Sequence, residues 1–220
     1  MAVNEQAYHS IKLELDKAGV VLVAVSKTKP IEDILALYQL GQRDFGENYV
    51  QELVEKTDAL PKDIRWHFIG HLQTNKVKLI ASFVQLIQGV DSLKLLREIN
   101  KQAGKAGRVI DCLLQVHIAQ EETKFGLDEN ELDSVIEVLD ELKMVRVIGL
   151  MGMASFSDDV QLVRKEFQYL KGLFDKHARL LTADSRLPTL SLGMSSDYKV
   201  AIEEGSNMVR IGSLLFGERK

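Results

Sequence analysis

Residues 20–26 form an apolar run, Val20-Val21-Leu22-Val23-Ala24-Val25, closed by Ser26. A run of this length, rich in β-branched residues, predicts a strand buried on both faces, as in a parallel sheet. Pro30 then opens a segment with Ile31, Ile34, Leu35, Leu37 and Tyr38 at helical spacing, ended by Gly41. The same alternation repeats to the end of the chain. A short strand at 44–47 precedes a helix over about 49–60, and a strand at 65–70 precedes a helix at 75–83. Strands at 84–88 and 109–118 are followed by helices at 92–106 and 130–142. Strands at 145–151 and 190–192 lead into helices at 160–181 and 198–204, and 208–211 makes the eighth strand.

Eight strand-then-helix units, with no two strands adjacent, predict an α/β fold of the closed (β/α)8 or TIM-barrel type. The segment before the first strand, with Ala7, Ile11, Leu13 and Leu15, reads as an extra N-terminal helix packed across the barrel's N-terminal end. An open doubly wound sheet would carry a glycine-rich fingerprint after its first strand, and Ser26-Lys27-Thr28-Lys29 is not one. No linker or low-complexity stretch interrupts the pattern, so residues 1–220 are expected to form a single domain.

Composition narrows the class. The chain has 220 residues and a formal net charge of -4, with no basic stripe of the kind that binds nucleic acid. Cys112 is the only cysteine, which excludes an internal disulfide and argues against a cysteine-based zinc site. No segment approaches the roughly 18 apolar residues of a membrane span, and the first residues lack the pattern of a signal peptide. The expectation is a cytoplasmic protein with neither nucleic-acid nor membrane partners.

Lys27 follows the first strand directly. The C-terminal ends of barrel strands are where such folds gather their functional groups. Partial burial there lowers an amine's pKa and leaves it able to attack a carbonyl; the competing reading is a capping lysine whose amine reaches water. In a closed barrel the eighth strand lies beside the first. Gly193-Met194-Ser195-Ser196-Asp197 and Arg210-Ile211-Gly212-Ser213 therefore share a rim with Lys27. Loops after strands seven and eight often bind phosphate, using backbone N–H groups and serine hydroxyls as donors. Ser195 or Ser196 would otherwise be a plain helix N-cap.

An amine beside a phosphate cradle fits a phosphorylated aldehyde such as pyridoxal 5'-phosphate, with Arg210 directed at its ring. The plainer role for Arg210 is an ion pair with Asp197, Glu203 or Glu204. Asn48, after the second strand, reaches the same ligand or caps its helix. His67 and His71 straddle a strand end with no third ligand in register, which argues against a metal. Lys124 in Thr123-Lys124-Phe125-Gly126 is a gate or a solvated lysine, and Met151 and Met153 read as packing.

Five segments carry a family resemblance. They are Val23-Ala24-Val25-Ser26-Lys27-Thr28-Lys29-Pro30, residues 45–52 (Phe-Gly-Glu-Asn-Tyr-Val-Gln-Glu), residues 66–76, Leu192-Gly193-Met194-Ser195-Ser196-Asp197, and residues 208–217. Together they resemble the pyridoxal-phosphate homeostasis protein family over essentially the whole chain. The resemblance implies a barrel like the N-terminal domain of bacterial alanine racemase, with the cofactor held as a Schiff base on Lys27. It also implies that Ser195, Gly212 and Ser213 hold the phosphate and that Arg210 faces the pyridine nitrogen; Asn48 and Ser196 complete the expected site.

The implied function is non-enzymatic: a carrier or regulator of the vitamin B6 pool, with apo forms of pyridoxal-phosphate enzymes as possible recipients. Leu192 replaces the methionine expected there, a volume-conserving change. A racemase needs a second positioned acid–base group, which alanine racemase takes from a further C-terminal domain; this chain ends at Lys220, so that group is not expected. The alternative is an amino-acid racemase or decarboxylase of the same barrel type. Lys29, Lys76 and Lys124 are candidates for transient contact with the aldehyde, and the expected state is a monomer.

Overall fold

The computed structural model describes residues 3–121, 125–177 and 188–217. Eight parallel strands pair in chain order: β1 (Val21–Val25), β2 (Asp44–Glu47), β3 (Arg65–Phe68), β4 (Leu86–Val90), β5 (Ile110–Gln115), β6 (Val145–Met151), β7 (Thr189–Ser191) and β8 (Met208–Ile211). The sheet closes where β8 pairs with β1, with Val23 opposite Arg210 and Ala24 opposite Ile211. The helices are α1 (Glu5–Ala18), α2 (Ile31–Gln39), α3 (Val50–Ala59), α4 (Val77–Ile80), α5 (Leu93–Lys105), α6 (Glu129–Glu137), α7 (Val160–His177), α8 (Tyr198–Glu203) and α9 (Ser213–Phe216). The (β/α)8 expectation holds.

Three local expectations do not. The helix expected at 75–83 is a 3-10 turn, Thr74–Lys76, followed by the single turn α4. The Val84 N–H bonds to the Ile80 carbonyl at 2.9 Å, so this residue still belongs to the helix end, and β4 starts two residues later than the apolar pattern suggests. The third concerns α1, which runs along the side of the barrel rather than across its N-terminal end. Its start is tied to the opposite rim, where the Asn4 N–H bonds to the Leu215 carbonyl in α9 at 2.8 Å, and its end turns into β1 through Gly19 at φ +67°. The cause is α9: a helix of one turn leaves the outer ring uncovered beside β8 and β1. Tyr8, Ile11 and Leu15 fill that space and join Leu22, Ala24, Leu215 and Phe216 in one core. Of the helix expected at 160–181, residues beyond His177 lie outside the described residues.

Packing occurs on both sides of the sheet, which is why β1 reads as a continuous apolar run. The main core lies between strands and helices, and a smaller cluster of Val23, Leu86, Leu113, Met151 and Met208 fills the barrel interior. A series of polar side chains runs through that interior beside the apolar cluster. Arg210 Nη1 donates to Ser191 Oγ (2.5 Å), and Ser191 Oγ donates to Gln88 Oε1 (2.7 Å). Gln88 Nε2 is 3.0 Å from His67 Nδ1, and His67 Nε2 is 3.1 Å from Asp44 Oδ1. Arg65 Nε also donates to Asp44 Oδ1, at 2.7 Å. Burial alone would raise the Asp44 carboxyl, but the His67 and Arg65 hydrogen bonds outweigh it and hold the group at about 2.

A second polar cluster fixes the end of β1. Ser26 is fully buried; its hydroxyl donates to Glu47 Oε1 at 2.6 Å and its carbonyl accepts from Lys56 Nζ at 2.7 Å. Lys56 also bridges Glu47 (2.7 Å) and Glu52 (2.6 Å). Burial pushes the Glu47 carboxyl up, and Lys56 and Ser26 pull it back. Glu52 in turn accepts the Thr28 N–H at 2.6 Å. Thr28 has φ +63°, a left-handed conformation that costs a β-branched residue about 1–3 kcal/mol and persists only where neighbours enforce it. The residue between these two anchors is Lys27.

Two predictions follow from these clusters. Lys56→Met leaves the Glu47 carboxylate buried without its cation, and should lower the unfolding free energy by about 3 kcal/mol. Denaturant titration measures this, and a loss below about 1 kcal/mol would mean that the pair is not what secures the β1 end. Asp44 has a folded pKa below its ordinary 3.8, so its stabilisation is present above that value and is lost as pH falls through about 2. The expected loss is about 2 kcal/mol between pH ~4 and ~2. Asp44→Asn should lack this portion of the acid profile; a variant with an unchanged profile would remove Asp44 as its source.

Candidate functional site

The strands deliver their C-terminal ends to one mouth, and a cavity of about 450 Å³ opens there. Lys27, Asn48, Ser195, Ser196, Arg210, Gly212 and Ser213 all line it, so every site residue expected from the sequence converges on one space. Strand parity explains Lys27: Val23 faces the barrel interior and Val25 the cavity, and Lys27 continues that face while Ser26 turns outward to Glu47. Lys27 and Asn48 are half-buried, Ser196 and Ser213 exposed.

The loops after β7 and β8 are tied together, because Ser195 Oγ accepts the Gly212 N–H at 3.3 Å. The residue that caps α8 is Asp197, so neither serine serves as its N-cap. Asp197 Oδ1 instead accepts the Met194 N–H at 2.6 Å and shapes the loop. Gly193 sits at φ +90°, and a Cβ there would lie 2.7 Å from that of Ala201; only glycine lets β7 turn this tightly into α8. Gly212 has a Cβ position 3.3 Å from both Val25 Cβ and the Val25 carbonyl, a close approach between the β8 and β1 ends.

Among the described residues Arg210 has no carboxylate as a hydrogen-bond partner. Glu203 and Glu204 are paired with Arg164 instead, and Arg210 donates to the Ser191 carbonyl and the Gly152 carbonyl, each at 2.9 Å, besides Ser191 Oγ. The ion-pair expectation with those two glutamates fails, because a side chain on the inner face of β8 cannot reach the outer surface. Burial lowers its pKa to about 10, opposed by Asp197, which leaves it a cation near neutral pH. Its guanidinium lines the cavity floor as a fixed donor.

Asn48 also lines the cavity, but its Oδ1 is buried away from solvent and has no hydrogen-bond partner among the described residues. Phe156, 93% exposed, overhangs the rim on a loop held by Glu166, whose carboxylate accepts the Ser155 N–H and hydroxyl, each at 2.6 Å.

The weaker candidates separate. His67 points into the barrel interior, whereas His71 Nδ1 is 2.8 Å from Asp91 Oδ2 and stacks on Phe125, so the two histidines share no ligand. Met151 packs in the interior, and Met153 lines the cavity. Lys29 lines the cavity too, but its amine donates to the carbonyls of Phe216 (2.9 Å) and Gly217 (3.1 Å). Lys76 lies in the 3-10 turn, away from the cavity lining, and Lys124 falls outside the described residues.

Sequence reasoning missed Glu47, Glu52 and Lys56, which hold the Lys27 turn, and Gln88 and Ser191, which underlie Arg210. A signal existed for each. Glu52 and Lys56 stand four apart on one helix, and Gln88 and Ser191 are polar interruptions of the apolar runs of β4 and β7.

Comparison with known proteins gives a consistent result. The family model described as "Alanine racemase, N-terminal domain" matches residues 5–220. A pyridoxal phosphate homeostasis protein of Aquifex aeolicus is 46% identical over 200 residues, covering 90% of this chain and 87% of its own. The human protein of the same name is 38% identical, with 99% of this chain and 84% of its own covered. Among solved structures, PipY of Synechococcus elongatus superposes with TM-score 0.88 at 34% identity, over 96% of this chain and 99% of its own. The same protein solved with pyridoxal phosphate bound gives TM-score 0.86. Alanine racemase of Bartonella henselae shares the fold alone, at TM-score 0.73 and 16% identity over 97% of this chain and 59% of its own. By a matched family domain along nearly its full length and relatives of one name at both ends of the tree of life, the chain belongs to the pyridoxal phosphate homeostasis protein family.

Proposed function

We propose that this chain binds pyridoxal 5'-phosphate at the barrel mouth and acts as a non-catalytic carrier or regulator of the cofactor pool. In this reading residues 1–220 work as one cytoplasmic, monomeric domain, and apo enzymes that need the cofactor receive it. The observation that carries the reading is the convergence of an amine, a buried guanidinium, an asparagine side chain and two serine-bearing loops on one 450 Å³ cavity. The names of the relatives and the pyridoxal phosphate bound to PipY support it.

The residues present fit the cofactor group by group. Lys27 is the covalent attachment point, presented by a turn that Ser26 and Thr28 anchor on either side. Ser195, Ser196 and Ser213 hydroxyls, with the backbone of Gly212, hold the phosphate. Asn48 would contribute to the polar surroundings of the ring, and Arg210 would donate to the ring nitrogen. When bound, the cofactor supplies an aldehyde that condenses reversibly with amines and a ring that withdraws electrons. A cationic donor at the ring nitrogen keeps that nitrogen unprotonated and weakens the withdrawal; an acidic partner would do the reverse.

The cavity lining favours a carrier over an enzyme. Among the described lining residues the titratable groups are Lys27, Lys29 and Arg210. Lys29 is engaged by two carbonyls and Arg210 by Ser191 and Gly152, so neither is poised to relay a substrate proton. Among the described residues no helix is long and apolar enough to cross a membrane.

The purified protein is expected to be yellow or to turn yellow with pyridoxal phosphate, and borohydride should fix the added mass on Lys27. Peptide mass mapping checks the site. A protein that stays colourless at saturating cofactor would overturn the binding proposal, and turnover of any amino acid in a panel assay, absent from Lys27→Ala, would overturn the non-catalytic part. Ser195→Ala removes a hydroxyl donor to the phosphate together with the acceptor of the Gly212 N–H, and should weaken retention about tenfold with only a small fall in melting temperature. Equal affinity for parent and variant in equilibrium dialysis would move the phosphate elsewhere.

A further inference from the structure

The polar series inside the barrel is costly to build. Side chains of this kind lose hydration on burial, and the interior repays them only if every donor meets an acceptor. Here every link is made, and every link points the same way. Arg210 can only donate, so the Ser191 hydroxyl it reaches must turn its single hydrogen to Gln88 Oε1. The Gln88 amide nitrogen then faces His67 Nδ1 as a donor, with Met208 Sδ at 3.3 Å as its second partner. His67 Nε2 then donates to the Asp44 carboxylate, which can only accept. Asp44 is anchored by Arg65 at the far end. Nothing in this series lies on the cavity except Arg210.

We infer that Gln88 and His67 are positioning residues for Arg210: acting through Ser191, they hold its guanidinium in the one orientation that offers a donor to the nitrogen of a pyridine-type ligand. The inference rests on the pyridoxal-phosphate reading above and deepens it. The guanidinium has five N–H donors, and the bonds to Ser191 and Gly152 secure one edge of its plane. With the series cut, Ser191 Oγ is free to rotate and that edge is held by carbonyls alone. The donor would then meet the ring nitrogen in only part of the population, and specificity for a nitrogen-containing ring would fall.

The test compares two ligands on four proteins: the parent, Gln88→Met, Ser191→Val and Ser191→Thr. Gln88→Met cuts the series with little change of volume, Ser191→Val cuts it at a separate link, and Ser191→Thr, matched to the valine in volume, keeps the hydroxyl. The ligands are pyridoxal phosphate and its benzene-ring analogue, in which CH replaces the ring nitrogen. The readouts are both dissociation constants and the absorbance maximum of the bound cofactor, with melting temperature as a check on folding. The parent should prefer pyridoxal phosphate by about tenfold.

Gln88→Met and Ser191→Val should lose most of that preference and shift the maximum, while their affinity for the analogue stays within about twofold of the parent's. Ser191→Thr should restore the parent's behaviour. A merely structural role would weaken both ligands alike and leave the preference intact, which overturns the inference. A coloured parent with no preference overturns it as well, as do variants that keep the parent's preference and maximum. Should one cut variant fail to fold, the other link gives the same readout. A parent that binds neither ligand overturns the cofactor reading and this inference together.

Discussion

The pairing of β8 with β1 is the contact on which the site depends, because it joins the two ends of the chain at one rim. Val23 stands opposite Arg210 and Ala24 opposite Ile211, so Lys27 and the Gly212 turn emerge from adjacent strands. Without closure, the Lys27 amine and the loops after β7 and β8 would lie on opposite edges of an open sheet. The N-terminal helix reinforces the same seam. It fills the ring position beside β8 and β1, and its first N–H bonds to Leu215 just beyond the Gly212 turn. Lys29, reaching from the β1 side to the Phe216 and Gly217 carbonyls, ties the seam a third time.

Around that seam the protein holds its functional groups from behind rather than from within the cavity. Lys27 is presented by neighbours that never face the ligand: Ser26 is locked by Glu47 and Lys56, and Thr28 is forced into a left-handed conformation against Glu52. Arg210 is held through Ser191. Both arrangements place polar or charged groups where water is excluded, and both are tolerated because nearly every lone pair and N–H is used. The exceptions, Glu47 Oε2 and Asn48 Oδ1, mark different things. The first is a cost of packing a carboxylate under α3; the second belongs to a residue that lines the mouth, although the oxygen itself is shut off from solvent.

Much of this was legible in the sequence. Eight short strand-like segments, each followed by helical spacing, pointed to the barrel, with the unbroken apolar run of β1 as the clearest sign of a strand covered on both faces. That Lys27, Asn48, Ser195, Ser196, Arg210, Gly212 and Ser213 gather at one mouth followed from their places at strand ends. The misreadings were local. Val84 is apolar and β-branched, yet it closes the turn of α4, because burial against the barrel satisfies an apolar residue equally well in a helix or in a strand. The ion-pair reading of Arg210 failed for a related reason. Sequence proximity to Glu203 and Glu204 carried no information on which face of β8 the arginine occupies, and the acidic pair belongs to Arg164 on the outside.

By itself the sequence determined the order of strands and helices, the identity of the residues at the mouth and the class of ligand they suit. These are properties of local pattern: period, turn residues and chemical type are written in neighbouring positions. Tertiary structure alone decided what each of those residues leans on. The links from Arg210 to Ser191, Gln88, His67 and Asp44 join strands from across the barrel, and the seat of α1 depends on how short α9 is. Such contacts are set by the register in which eight strands close and by the space that closure leaves. Both are properties of the whole chain in three dimensions, so no segment of the sequence encodes them alone.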